Sequence, residues 1–199
     1  PTIRFYEQNP PAVSIGYFQK LHEKVSVDKC GEYGIDFVRR FSGGSSMFHN
    51  SSINFSVISP IYELSSYLES SMEKISGWVA KALEELKIKT TIELDSIKTN
   101  GKNISWNATT MKNKIIIHQA AIFIDVDPVK TASLLHTKEK KIKETLTSIK
   151  IKEKDILATL EKSFTKGKVW DYAPLSKNEL HRANELAKGY QERKWNFMR

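Results

Sequence analysis

The alternation of apolar and polar residues in Ile3-Arg4-Phe5-Tyr6 and Val13-Ser14-Ile15-Gly16 predicts two strands separated by a turn at Asn9-Pro10-Pro11. Phe37 to Arg40 and Ile53 to Ile58 predict two more, bracketing a glycine-rich segment. From Ile61 the period changes. Leu64, Leu68, Met72, Ile75, Val79, Leu83 and Leu86 recur at threes and fours, which predicts one long amphipathic helix with an apolar face on the sheet. A strand pattern returns in Lys89 to Leu94, Asn103 to Thr110 and Lys114 to Val126, with Lys112-Asn113 as the turn between the last two. Asp127-Pro128 has the acidic cap and first-turn proline of a helix start. Helices are predicted around Val129 to His136, Glu153 to Thr165 and Lys177 to Lys194, the last opened by a capping box of Ser176 and Glu179. No repeat or linker interrupts this order, so residues 1–199 are expected to form a single domain of α+β class, a mostly antiparallel sheet flanked by helices.

Composition narrows the function classes. With 40% hydrophobic and 27% charged residues, the chain has the makings of a substantial core. It shows no membrane-spanning run and no signal-peptide start, so the expected location is cytoplasmic, with no membrane partner. One cysteine, Cys30, excludes an internal disulfide and reads as a structural thiol. The net charge of +8 is concentrated between Lys130 and Lys168, where glutamates and aspartates interleave with the lysines and no aromatic residue appears before Phe164. That is the pattern of a solvated helical face. Without stacking aromatics or a reading module it does not predict nucleic-acid binding, and an acidic protein partner fits the field equally well.

The segment Arg39-Arg40-Phe41-Ser42-Gly43-Gly44-Ser45-Ser46-Met47-Phe48-His49-Asn50 carries the clearest chemistry. Paired arginines followed by glycines bring bare backbone N–H groups and guanidinium groups against a phosphate or carboxylate. Alternation along the strand places Arg40 inward and Arg39 on the outer surface.

This segment resembles the lipoate–protein ligase branch of the biotin/lipoate attachment family, whose pattern here is Arg-Arg-x-Ser/Thr-Gly-Gly-Gly-Ala-Val-x-His-Asp. Pro1 to Tyr6 and Val13 to Gln19 are similar to the family's opening strands, and Gly101-Lys102-Asn103-Ile104-Ser105-Trp106-Asn107-Ala108 to its Gly-Lys-Lys-Ile-Ser/Ala-Gly-x-Ala segment. His118-Gln119-Ala120-Ala121 and Tyr190 to Asn196 are similar to later family segments. The resemblance implies a class II biotin/lipoate ligase-like fold. It also implies that an N-terminal helix of the family is missing here, and that the accessory domain is a separate polypeptide, as in the split archaeal-type arrangement.

The implied reaction joins lipoate and ATP as lipoyl-adenylate, then transfers the lipoyl group to a lysine of a lipoyl acceptor domain. By resemblance, Arg40, Ser42, Gly43, Gly44, Ser45, His49 and Asp95 contact the adenylate or ATP, Asp95 also serves Mg2+, and Trp106 and His118 belong to the acyl pocket. From its residue type alone His49 reads as structural; Trp106 reads equally well as a core residue, and His118 stays open. The family's charge-bearing lysine falls at Asn103, an amide without charge, and losing such a contact typically costs about 3 kcal/mol of barrier. Lys102 replaces it only if a bulge turns it to the same face. Other departures are Ser45 and Ser46 in the loop, Asn50 after His49, Asp95-Ser96-Ile97 where the family has Asn-Asp-Ile, and Trp106 in place of a glycine. Three readings follow: a lipoate–protein ligase, a paralogue that binds a lipoyl-type ligand or domain without adenylation, and, ranked last because Cys30 lies far from the motif, an octanoyl or lipoyl transferase.

Overall fold

In the computed structural model, which describes residues 1–199, the apolar alternation seen in the sequence builds two sheets and a ribbon. The elements begin β1 (Thr2–Tyr6), β2 (Ala12–Ile15), α1 (Leu21–Lys24), α2 (Val27–Tyr33), β3 (Asp36–Arg39), β4 (Met47–His49) and β5 (Ser51–Pro60). They continue with α3 (Ile61–Leu64), α4 (Leu68–Glu85), β6 (Thr91–Ile92), β7 (Ile97–Thr99), β8 (Lys102–Asn103), β9 (Ser105–Lys112) and β10 (Ile115–Asp125). Five helices end the chain: α5 (Pro128–Leu134), α6 (Glu139–Thr145), α7 (Glu153–Thr165), α8 (Lys177–Gln191) and α9 (Arg193–Asn196).

The larger sheet has the order β1-β5-β10-β9 and is antiparallel throughout. A smaller sheet, β3-β2-β4, pairs β2 with β3 in parallel and with β4 antiparallel. The ribbon β6-β7-β8 leads into β9. Helices α4 and α7 cover one face of the larger sheet, and Phe55, Ile75, Leu83, Ile116, Leu160 and Phe164 form its core. The smaller sheet has its own core, in which Val13, Ile15, Leu21 and Cys30 meet Leu134 of α5. The α+β class and mostly antiparallel pairing match the sequence reading.

Local chemistry explains where the elements depart from it. The long helix is broken after Leu64: Ser65 is extended and caps α3 with its amide donating to the Ile61 carbonyl, and α4 starts afresh at Leu68. The hairpin turn is shifted by one residue. Lys112 pairs with Ile115, leaving Asn113 and Lys114, both with positive φ, as the two-residue turn that strand twist favours. The predicted strand from Lys89 shrinks to Thr91–Ile92, and the one from Asn103 divides at Ile104. There the Ile104 amide donates to Ile97 and its carbonyl accepts from Phe123, so the chain passes from ribbon to sheet at this residue. Helices α1, α2 and α6 have too few periodic apolar residues to stand out in the sequence.

Phe164 is buried, and its ring meets those of Phe5, Phe55 and Trp78 within 6.1 Å. Phe164→Ala should destabilise the fold by about 3–5 kcal/mol, because these rings leave a cavity that strands on one side and helices on the other cannot close. Urea unfolding checks this, and a loss under about 1 kcal/mol would contradict the packing described.

Candidate functional site

The segment between β3 and β4 closes on the turn after β2. A Cβ on Gly16 would lie 1.9 Å from the Gly44 carbonyl oxygen, so only glycine lets these backbones approach, and Gly44 itself has φ 85°. The amides of Gly43, Gly44, Ser45 and Ser46 donate to no protein acceptor. Ser42 is buried, its hydroxyl donating to Gln119 Oε1 at 2.8 Å.

Both arginines are buried, which corrects the expected surface position of Arg39. Strand β3 ends at Arg39, so alternation does not carry on to Arg40. Arg39 points into the space between the turn after β2 and α9, where its guanidinium donates to the carbonyls of Gly16, Tyr17, Gln19 and Asn196. Its own amide donates to Asn196 Oδ1, and its carbonyl accepts from Trp195 Nε1. Arg40 donates to Ser14 Oγ at 2.8 Å and to the carbonyls of Gly43 and Ser45, and its guanidinium lies 4.1 Å from the Trp106 ring centroid. Burial pushes its pKa down to about 9. No carboxylate pairs with either arginine, and the Nε of each is buried without an acceptor.

His49 continues this network. Its Nδ1 bonds Asn54 Oδ1 at 2.8 Å and its Nε2 bonds Ser14 Oγ at 2.7 Å. The amide oxygen accepts, which fixes the proton on Nδ1 and makes Nε2 the acceptor of the Ser14 hydroxyl. Burial holds the ring neutral, its pKa pushed down to about 4.

Two cavities flank this network. The larger, 430 Å³, takes part of its wall from Ser45, Asn50, Asp95, Asn103 and Trp106, together with Asp125, Asp127 and Lys141. The smaller, 110 Å³, is bounded by Tyr6, Ser14, Arg40, His49, Trp106 and Gln119. Trp106 stands between them, its indole N–H donating to Ser45 Oγ at 3.0 Å. The indole therefore forms part of both walls while packing on the buried cluster of Met47, Ala121 and Phe123.

Other predicted residues lie apart. Lys102 is absent from both walls, and its ammonium donates to the Lys143 carbonyl at 2.7 Å. Alternation holds in β8, and no bulge turns Lys102 beside Asn103. His118 also lines neither cavity: it is buried under the larger sheet, with Nδ1 2.8 Å from Thr109 Oγ1 and its ring beside Phe55, so the expected acyl-pocket position is corrected. Asp95 does reach the larger cavity, but no group of three or more metal-binding side chains gathers there. Ser14, Asn54 and Lys141 went unnoticed in the sequence. A polar residue inside an otherwise apolar strand was the one available signal for the first two.

Residues 1–171 match the family model described as the lipoyl protein ligase A/B catalytic domain. Among curated proteins the chain is 27% identical to the octanoyltransferase LipM of Clostridioides difficile, over 72% of this chain and 61% of that protein, less than two thirds of its length. It is also 27% identical to the octanoyltransferase LipM of Brevibacillus brevis, over 100% of this chain and 88% of that one. Among solved structures, a bi-partite lipoate protein ligase from Thermoplasma acidophilum superposes with a TM-score of 0.89 at 23% identity, covering 98% of this chain and 83% of that one. A lipoate-protein ligase A bound with ATP gives 0.87 at 22% identity, covering 98% and 85%.

Half-buried His49 and fully buried His118 each have a pKa lowered, chiefly by desolvation, from 6.5 to about 4. In that window the unfolded chain takes up protons that the folded one excludes, so stability falls as pH drops from 6.5 toward 4. Urea titrations across the window should show the decline, and His118→Asn should flatten its slope. An unchanged slope would mean that His118 is not buried neutral.

Proposed function

Because the chain belongs to the lipoyl protein ligase A/B catalytic family, we propose that it binds a lipoate-type acyl carboxylate and ATP. It joins them as an acyl-adenylate and passes the acyl group to a lysine of a lipoyl acceptor domain. The observation that carries this reading is the set of free donors on the loop between β3 and β4. Four backbone amides without protein acceptors lie next to Arg40, a buried cation with no carboxylate beside it. An anionic ligand would offset the burial of that charge.

ATP would meet part of this donor set in the larger cavity, 430 Å³ and within the usual range for small-ligand sites: Ser45 and Ser46 line it, while Arg40 faces the smaller cavity beside it. Mg2+ fits Asp95 only as a shared ligand, since this ion is commonly held by one or two carboxylates plus phosphate oxygens and water. When bound, it would neutralise phosphate charge. The structural neighbour described with its E2 lipoyl domain supports an acceptor domain as partner, and its bi-partite form supports a separate accessory chain. The curated relatives are bacterial, which leaves the archaeal-type arrangement resting on that neighbour alone.

Acyl transfer, the activity in the curated relatives' names, would use the same acyl ligand but needs a nucleophile in the cavity. Cys30 is buried in the core of the smaller sheet, and burial raises its thiol pKa, so it supplies none. A second reading is favoured by one observation: Asn103 faces the cavity while Lys102 is held away. On that reading the chain holds its ligand without activating it.

Pyrophosphate release with lipoate, octanoate and biotin in turn, with and without an accessory chain, separates the two. Release supports the ligase. Silence with ligand bound supports the holding protein. Asn103→Lys should raise release about tenfold or more, by placing a charge where carboxylate and phosphate meet. No gain with ligand demonstrably bound would show that position 103 is not what limits the reaction.

A further inference from the structure

Positive charge reaches the larger cavity from a different element. Its wall carries four carboxylates, on Glu23, Asp95, Asp125 and Asp127, against only two ammonium groups, on Lys24 and Lys141. Helix α6 has four lysine or glutamate partners arranged so that Lys140 pairs with Glu144 at 3.8 Å and Lys143 pairs with Glu139. Lys141, between them, has no ion pair and no side-chain hydrogen bond, and it lines the cavity together with Thr145 one turn on; Lys24 is equally unpaired, but only Lys141 sits on an element tied to the strand of Asn103. The end of α6 is tied to the strand that carries Asn103: Leu146 bridges to Asn103, and the Thr147 amide donates to the Asn103 carbonyl at 2.9 Å. Asn103 itself is engaged, accepting from Ser96 Oγ at 3.3 Å.

We infer that Lys141 is the phosphate-contacting cation of this site, reaching from α6 over the wall at Asn103 to the phosphates of a bound nucleotide. The inference rests on the reading that the cavity takes ATP. An ammonium is a compact charge with three donors, suited to oxygens that gather charge from several directions. In adenylation the acyl oxygen forms a bond to the α-phosphorus as the bond from that phosphorus to the bridging oxygen breaks. Pyrophosphate leaves with the electron pair, and Lys141 keeps its proton throughout.

Calorimetric titration of MgATP into the full chain tests this. Lys141→Ala should weaken binding about tenfold or more and Lys141→Arg less than about threefold, while Lys140→Ala, on the solvent side of the same helix, should leave it unchanged. Equal affinity in Lys141→Ala and wild type overturns the inference, as does an absence of ATP binding to the wild type. If Lys141→Ala loses ATP but the wild type releases no pyrophosphate with any acid, the ligase reading fails and the role of Lys141 stands.

Discussion

The site depends on a buried guanidinium that has only neutral partners. Arg39 donates to four backbone carbonyls, three from the turn after β2 and one from α9, while its own backbone holds Trp195 and Asn196. These contacts join three stretches of chain that are distant in sequence. They set the turn at Gly16, and Gly16 in turn sets how closely Gly44 can approach. The cost of burying a cation without a carboxylate is offset by the number of dipoles aimed at it. A lysine could not replace Arg39, because the four carbonyls are reached by a fork with two terminal nitrogens.

Arg40 uses the same chemistry for a different purpose. Its hydrogen bonds run to Ser14 and to the loop carbonyls, and through Ser14 they extend to His49 and Asn54. The loop carbonyls are drawn inward to Arg40, while the loop amides remain without protein acceptors. The guanidinium thus shapes the loop as well as charging it. This explains why a histidine beside an arginine is neutral: burial and the neighbouring positive charge both disfavour a second cation.

Much of this was legible in the sequence, for identifiable reasons. Alternation of apolar and polar residues located β1, β2, β5 and β10, even though β2 turns out to be buried on both faces. The glycine loop, an ordinary turn by composition alone, was visible because its paired arginines and neighbouring segments resemble the family pattern. The misreading of Arg39 came from extending strand alternation one residue past the end of β3. Lys141 was hidden in a run of lysines whose periodicity looked solvated, and its place on the cavity wall shows only once the end of α6 is seen tied to Asn103. His118 was misplaced because a motif gives position along a strand but not which side of the sheet the side chain enters.

The departures from the family pattern are coupled in space. Trp106 takes the place of a glycine, and the N–H it brings is accepted by the hydroxyl of Ser45, which itself replaces a loop glycine. With glycine at 45, that N–H would lack this partner. Ser96 stands where the pattern has an aspartate and Asn103 where it has a lysine, and their side chains meet at 3.3 Å. A negative and a positive charge have been exchanged together for a neutral pair, so neither replacement leaves an unpaired ion in the wall. Asp95 and Lys141, both facing the same cavity, restore one charge of each sign nearby. The indole, Ser45, Ser96 and Asn103 thus form contacts with one another inside the cavity wall.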